Sequence, residues 1–390
     1  MHQLKFKIED FESYFLELMA GKRRQWYDRA LTQLLFVSSR FYRAAVQFRN
    51  WAYDKRVIRH RALGCLVVSI GNLSCGGTGK TPVVEVFARS LSAQGRRVAI
   101  LSRGYRSRKP TFREKLKARF KLQKIDLPPK VVSDGKDLLL DSEYAGDEPF
   151  MLASNLPDVA VVVDKDRVKS GIYAIKNFGT DVIILDDGFQ YLMLKAHINI
   201  VLVDSTDPFG NGHVLPRGIL REPIKNLRRA DYIFLTKSDG SHKIEHLKRF
   251  LRKSNRRAEI IECCHRPQYL RFLSDGHREE LSSLRGKRVA ALSAIARPES
   301  FEGFLRELGA ELVYCDHYAD HHRYTQPEIV DFVAQAKAAG AELVMTTEKD
   351  AVRIPAIENC AVPLAFLRIE IDILSGQESF DQCIRRICFM

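Results

Sequence analysis

Runs of consecutive apolar residues, each closed by a polar turn, recur along the chain and set its expected architecture. The clearest are CLVVSIGN (65–72), RRVAILSRGY (96–105), DVAVVVDK (158–165), DVIILDDG (181–188), INIVLVDS (198–205) and DYIFLTKS (231–238). Strands apolar on both faces belong to parallel sheets covered by helices. Helical patterns separate them, such as PVVEVFARSLSAQG, which ends at Gly95. Polar groups cluster just after the strands, where such sheets place their ligands. Beyond about Ala230 the pattern loosens, but RVAALSAI and AELVMTTE again read as strands with helical segments between them. The expected class is α/β, with a second, smaller α/β domain. The expected divisions are an N-terminal segment (1–61), a main domain (62–229) and the smaller domain (230–390).

The N-terminal segment follows another pattern. Leu31, Leu34, Leu35, Ser38, Tyr42 and Ala45 recur at three-to-four spacing, predicting an amphipathic helix with Trp26 and Trp51 near its ends. The surrounding charges are mostly Lys and Arg. A basic helix with an aromatic-rich apolar side suits the interface of an anionic membrane, whereas a plain packing helix would serve the fold alone. The whole chain of 390 residues carries 62 Lys and Arg against 48 Asp and Glu, a net charge of +14. That surplus points to an anionic partner: acidic lipid, a phosphorylated substrate or nucleic acid. No recognition-helix or RNP-like motif accompanies it, so nucleic acid is not expected. A basic stretch at 106–126 has little apolar periodicity and reads as a surface insertion.

The first residues, MHQLKFKIED, lack the apolar run of a cleavable signal, and no stretch reaches the roughly 20 apolar residues of a membrane span. The active parts are therefore expected in the cytoplasm. Eight cysteines at 65, 75, 263, 264, 315, 360, 383 and 388 form no Cys-x-x-Cys pair, which speaks against a zinc ribbon and for reduced thiols.

The chemistry is concentrated in SCGGTGKTP (74–82), which follows a strand and opens a helix. That is the setting of a P-loop, so the main sheet is expected to be of P-loop NTPase type, flanked by helices. Backbone N–H groups of Ser74, Cys75, Gly76, Gly77, Thr78 and Gly79 can wrap the phosphates of ATP, aided by the positive end of the following helix. Lys80 would reach the β- and γ-phosphates, and the Thr81 hydroxyl would ligate Mg²⁺. Ser74 stands where the usual pattern has glycine. At the tip of the 182–186 strand, Asp186 and Asp187 are both candidate partners of Mg²⁺. TKSD (236–239) is a variant of the guanine-recognition signal, but Gly188 has Leu185 three residues earlier, so a D-x-x-G switch is not formed there.

Taken together, SIGNLSCGGTGKTP, LSRGY, SDG, GDEP, KDRV, IILDDGFQ, VDSTDPFGNGHVLPRGILREP, ADHHRYT and TTEKDAVRI resemble the tetraacyldisaccharide 4′-kinase family, in order and spacing, from about Trp51 to Ile354. The resemblance implies transfer of the ATP γ-phosphate to the 4′-hydroxyl of an acylated glucosamine disaccharide 1-phosphate. This is a late step of lipid A synthesis at the cytoplasmic face of the bacterial inner membrane, and it implies a peripheral attachment. The family pattern puts the base that accepts the hydroxyl proton at Asp147 of GDEP, oriented by His321 or His322. Asp147 could instead cap the helix that begins there. Arg103 and Tyr105 resemble positions near the substrate, and Arg167 would neutralise charge on the transferred group. Glu148 and Gln190 lie beside the implied site. The family usually has histidine after DDGFQ, where this chain has Tyr191. A metal site at DHYADHH (316–322) is a competing use of its histidines. The competing reading of the whole chain is a P-loop GTPase or ATPase that switches a partner.

Overall fold

A computed structural model describes residues 14–15, 17–19, 21–23, 25–104, 128–357 and 360–389. In chain order the elements are α1 (Trp26–Asp54), β1 (Leu66–Asn72), α2 (Lys80–Ala93), β2 (Val98–Ser102), β3 (Lys130–Asp134), α3 (Ser142–Ala145), α4 (Asp147–Asn155) and β4 (Ala160–Val163). There follow α5 (Arg167–Phe178), β5 (Val182–Asp186), β6 (Ile198–Asp204), β7 (Tyr232–Thr236), α6 (His242–Ser254), β8 (Glu259–Phe272) and β9 (Arg278–Glu280). The last are β10 (Arg288–Ser293), α7 (Pro298–Glu307), β11 (Glu311–His317), α8 (Gln326–Ala338), β12 (Leu343–Thr347), α9 (Glu348–Ala351), β13 (Leu364–Ser375) and α10 (Gln377–Phe389). The apolar runs read as strands from the sequence are strands here. Every residue of β1, β2, β4, β5 and β7 is buried, as strands covered on both faces must be.

The chain clusters into two units, each assembled from separate stretches. One comprises Met1–Lys80, Ile184–Cys264 and Ile373–Met390; the other comprises Thr81–Ile183 and His265–Asp372. In the first unit β8, β7, β6 and β1 lie side by side, all parallel, with Val68 opposite Ile198 and Asp204 opposite Thr236. Parallel pairing in register brings the C-terminal ends of β1, β6 and β7 to one edge, and the phosphate-loop motif and TKSD with them. Leu73, Phe189, Val201, Val203, Leu220, Leu227, Ile233, Leu235 and Leu251 fill the core.

Helix α1 also belongs to this unit; its packing face keeps Leu35 and Tyr42 of the stripe predicted above, whereas Leu34 and Ala45 are exposed. Leu35, Ser39, Val46 and Asn50 are buried, and Tyr42 Oη donates to the carbonyl of Arg221 at 3.1 Å. Asn50 and Arg49 donate to the buried Glu222 at 3.0 and 3.2 Å. Much of the inward face is polar, so hydrophobicity alone locates it only in part. Trp26, Leu34, Val37, Phe41, Phe48 and Trp51 are exposed instead. At 3.6 residues per turn these six fall within an arc of about 100°. No helix among the described residues is long and apolar enough to cross a membrane.

In the second unit β2 and β4 are parallel, with β3 antiparallel at the β4 edge. A further parallel set runs β11-β10-β12-β13. RVAALS and LVMTT thus occupy β10 and β12, as the sequence implied. Residues 269–271 of β8 pair antiparallel with β9. Helix α5 is capped by Asp166, which accepts from Val168 and Lys169, and stops at Gly179 in the left-handed conformation (φ 62°). All eight cysteines are free.

Candidate active site

In the first unit, the turn between β1 and α2 has the geometry its glycines require. Gly76 (φ 114°) and Gly79 (φ 74°) hold conformations that an L side chain rarely adopts. A Cβ added at Gly76 or Gly77 would meet nothing within 4 Å, so the protein leaves that face of the loop open. Ser74 is not in a positive-φ conformation and pairs as a bridge with Leu220, so the glycine of the usual pattern is not needed there. Cys75, Gly76 and Gly77 are exposed, Gly79 and Lys80 half-buried, and Ser74 and Thr78 buried.

The loop is braced by side chains that sequence reasoning did not assign to it. Thr236 Oγ1 donates to the carbonyl of Thr78 at 2.8 Å, and Lys237 Nζ donates to the carbonyl of Gly77 at 2.7 Å. Asn72 donates to Thr78 Oγ1 at 2.9 Å. Lys237 also pairs with Asp204 at 2.6 Å. Burial pushes the Asp204 carboxyl up, but hydrogen bonds from Lys237 and Thr206 outweigh it and hold the group below its usual value. The first two residues of TKSD thus grip the loop main chain. Asp239 accepts from the amide of Ser241 at 2.9 Å.

At the tip of β5, Asp186 is buried and Asp187 takes a left-handed backbone (φ 52°). Arg221 Nη1 donates to both Asp187 oxygens at 2.9 and 2.7 Å, and Lys80 Nζ lies 3.7 Å from Oδ1. Arg221 therefore ties the ILREP stretch to the lysine of the loop. Gln190 donates to the carbonyl of Asn72 at 2.9 Å. Asn72 Oδ1 and Gln190 Oε1 are buried acceptors with no donor among the described residues, in contrast to most buried polar atoms. Tyr191 turns to the Met193 sulfur at 3.9 Å.

In the second unit, Thr81 lies in the first turn of α2, and Pro82 follows where a missing N–H is tolerated. Asp147 is the first residue of α4, whose cap is Gly146 (φ 94°), so its carboxylate is not the N-cap. It turns instead toward three cationic or imidazole groups. Arg353 Nε donates to Oδ2 at 2.9 Å, Arg323 Nη2 donates to Oδ1 at 3.1 Å, and His321 Nδ1 lies 3.3 Å from Oδ2. Burial pushes the Asp147 carboxyl up; the His321 hydrogen bond and the Arg353 and Arg323 charges outweigh this and hold it below the usual carboxylate value.

His321 Nδ1 also lies 3.1 Å from Arg353 Nη2. An arginine N–H can only donate, so a bare Nδ1 accepts from Arg353, whereas a protonated Nδ1 donates to Asp147. The imidazole is thus placed to share a proton with the carboxylate. His321 is held at φ 67°, and Asp187 and Lys237 (φ 54°) share this left-handed backbone. Such conformations cost of order 1–3 kcal/mol for residues other than glycine and cluster at functional sites.

The neighbouring histidine points elsewhere. His322 Nε2 lies 3.2 Å from Glu328, and its ring stacks on Tyr318 at 4.7 Å. His317 pairs with Glu302 at 2.6 Å. Lys349 bridges Glu148 at 3.3 Å and His321 Nε2 at 3.4 Å. Arg353 is fully buried and also pairs with Asp350 at 3.0 Å. Arg323, Lys349, Asp350 and Arg353 fall within ADHHRYT and TTEKDAVRI, yet nothing in their spacing assigned them to Asp147. Arg167 is buried in the first turn of α5, and Arg103 is exposed after β2. Tyr105 and the 106–126 insertion lie outside the described residues.

The family model for tetraacyldisaccharide-1-P 4′-kinase matches residues 31–388. The chain belongs to this family. It is 39% identical to the tetraacyldisaccharide 4′-kinase of Syntrophus aciditrophicus over 381 residues, 93% of this chain and 96% of the relative. To that of Anaeromyxobacter sp. strain K it is 41% identical over 350 residues, 88% of this chain and 87% of the relative. Its fold matches the crystal structure of LpxK from Aquifex aeolicus in complex with ATP, with a TM-score of 0.71 at 30% identity, covering 92% and 99% of the two chains. Membership in this kinase family confirms the resemblance drawn from the motifs and does not favour the switch-protein alternative.

For a tetraacyldisaccharide 4′-kinase, the brace on the phosphate loop has a measurable consequence. Lys237→Met removes a charged donor from the Gly77 carbonyl and leaves Asp204 with Thr206 but without its cation. Hydrogen bonds to charged groups contribute about 1.5–3 kcal/mol, so the KM for ATP is expected to rise about ten- to a hundredfold. The KM for the lipid acceptor should not move. Steady-state titration of each substrate checks this, and an unaltered ATP dependence would show that the loop holds itself.

Proposed function

We propose that this chain transfers the γ-phosphate of ATP to the 4′-hydroxyl of a tetraacyldisaccharide 1-phosphate, in the synthesis of lipid A. The observation that carries this reading is the Asp147–His321 pair, braced by Arg353, in a chain that also carries a lysine-bearing phosphate loop. A switch NTPase needs only the loop; a second, buried acid–base pair suits an enzyme that must deprotonate an alcohol. Asp147 accepts the hydroxyl proton, and His321 orients it through Nδ1. Lys80 and the loop amides hold the phosphates, and Arg167 offsets charge on the transferred group. His322 acts as a packing partner of Tyr318 and Glu328. Arg103, Tyr105, Glu148 and Gln190 serve acceptor binding.

Mg²⁺ neutralises phosphate charge in such transfers. The Thr81 hydroxyl and the Asp186 and Asp187 carboxylates are hard oxygen donors that fit it. The decisive experiment incubates purified protein with ATP, Mg²⁺ and the acylated disaccharide phosphate, then weighs the lipid by mass spectrometry. A gain of one phosphate supports the assignment. Hydrolysis of ATP without lipid product, from well-folded enzyme in detergent, defeats it.

We further propose that the protein works at the cytoplasmic face of the bacterial inner membrane, attached peripherally through α1. The support is the outward stripe of Trp26, Leu34, Val37, Phe41, Phe48 and Trp51, with Arg29, Arg40 and Arg43 beside it. Apolar residues on one exposed face with basic residues at its flank match an interfacial helix. Phe41→Ser with Trp51→Ser is expected to lower partitioning into lipid vesicles at least about tenfold, since each buried apolar side chain contributes about 1.5–3 kcal/mol. Both side chains face away from the protein, so the melting temperature should hold. Unchanged flotation with vesicles would end the anchoring claim.

A further inference from the structure

Helix α6 presents two unlike faces. Ile244 and Leu251 are buried in the core of the first unit, with Leu247 packed beside them. The opposite face carries His246, Arg249, Phe250, Lys253 and, just beyond the helix, Arg256; with Arg252 these line an open depression of about 470 Å³. Among the described residues none of Arg249, Arg252, Lys253 and Arg256 forms an ion pair, although the α6 residue Lys248 does so with Glu245 and Glu262. Four cations surround an exposed aromatic ring without a carboxylate bound to any of them; the one acid of this helix, Glu245, pairs with Lys248. Phe250, at 43% exposure, is its apolar centre.

This surface continues toward α1. The Phe250 ring meets Phe209 at 5.7 Å, and four residues along the same loop His213 meets Phe36 of α1 at 5.7 Å. There a second depression is lined by Phe36, Arg40, Arg43, His213 and Lys225, among others. Basic residues ringing exposed aromatic side chains complement an acidic lipid surface, where the charges meet headgroups and the rings sit at their level.

We propose that the basic face of α6 is a second membrane contact, which selects bilayers rich in anionic phospholipid. The proposal rests on the α1 attachment above but divides the work differently. The apolar stripe of α1 supplies affinity for any bilayer, and α6 supplies the dependence on lipid charge. Near an anionic surface a Lys or Arg contributes enough to multiply binding several-fold, so four together should exceed tenfold by a wide margin.

The test is sedimentation of the full chain with phosphatidylcholine vesicles, with and without phosphatidylglycerol. The quadruple variant Arg249→Gln, Arg252→Gln, Lys253→Gln and Arg256→Gln is compared with the α1 variant. In the wild type, phosphatidylglycerol should raise binding more than about tenfold, a gain that shrinks as salt screens the charges. The quadruple variant should lose most of that gain, keep its binding to pure phosphatidylcholine, and keep its turnover of detergent-dispersed acceptor. An equal gain in variant and wild type overturns the proposal. So does a collapse of turnover in detergent, which would assign the patch to the substrate phosphate. Failure of the α1 reading is separable: the α1 variant would then bind pure phosphatidylcholine as well as the wild type does.

Discussion

Asp147→Asn is expected to lower kcat by about 10²–10⁴-fold, the usual contribution of a positioned base, while leaving the affinity for ATP unchanged. Asparagine keeps the shape of the side chain but has a single acceptor oxygen, so it can accept from Arg353 or Arg323 and not from both as Asp147 does, and it cannot take a proton from the sugar hydroxyl. Calorimetric titration with nucleotide, run beside the turnover assay, separates the two effects. Full turnover in this variant would remove Asp147 from the reaction.

The charge state of Asp147 adds a pH signature. Its carboxyl titrates below the ordinary value of 3.8 because His321, Arg353 and Arg323 outweigh the cost of burial. A depressed carboxylate contributes stability that is complete above the unfolded pKa and is lost as pH falls through the lower folded one. The carboxylate form, and with it the capacity to accept a proton, should persist to the acid side of 3.8. Arg323→Ala removes one cation from a side chain that is 42% exposed, and should move the acid limb of the rate profile to higher pH. Arg353→Ala is the poorer tool. Arg353 is wholly buried between Asp147 and Asp350, and breaking a buried pair costs about 3–5 kcal/mol.

Lys80→Ala is the second large effect, and it should fail at the opposite step. The lysine amine is the one charged group on the turn proposed to wrap the phosphates, and it lies 3.7 Å from Asp187. In the role proposed for it, Lys80 meets both the ground-state phosphates and the charge of the transition state, so its removal is expected to lower kcat by about 10²–10³-fold and to weaken MgATP binding together with it. Lys80→Arg should restore little, because the planar guanidinium is a wider group than a point ammonium. Heat of nucleotide binding equal to that of the wild type would mean that the turn does not hold the triphosphate. The two variants together form a pattern: Asp147→Asn binds nucleotide and does not transfer, whereas Lys80→Ala does neither.

Much of this protein could be read along the chain. The strands around 66–72, 182–186, 198–204 and 232–236 were legible because fully buried parallel strands need unbroken apolar runs. The phosphate loop was legible because only glycine tolerates its backbone at 76 and 79, which leaves a local signature. The helix at the N-terminus was legible as a helix. Its inward face was legible only in part: Leu35 and Tyr42 of the predicted stripe pack inward, but so do the polar Ser39 and Asn50, while Phe41, Phe48 and Trp51 face out.

What only the tertiary structure decided is which distant groups bond to one another. Asp147 and Arg353 are 206 positions apart, Thr78 and Thr236 are 158, and Arg221 and Asp187 are 34. The same holds for the choice of His321 over its neighbour as the partner of Asp147, which turns on a left-handed backbone at 321. A local pattern encodes what a residue's own backbone and immediate neighbours require, so chain order determined the elements and the loop. Ion pairs between remote segments depend on where the folded sheets carry those segments, and no spacing along the chain records that.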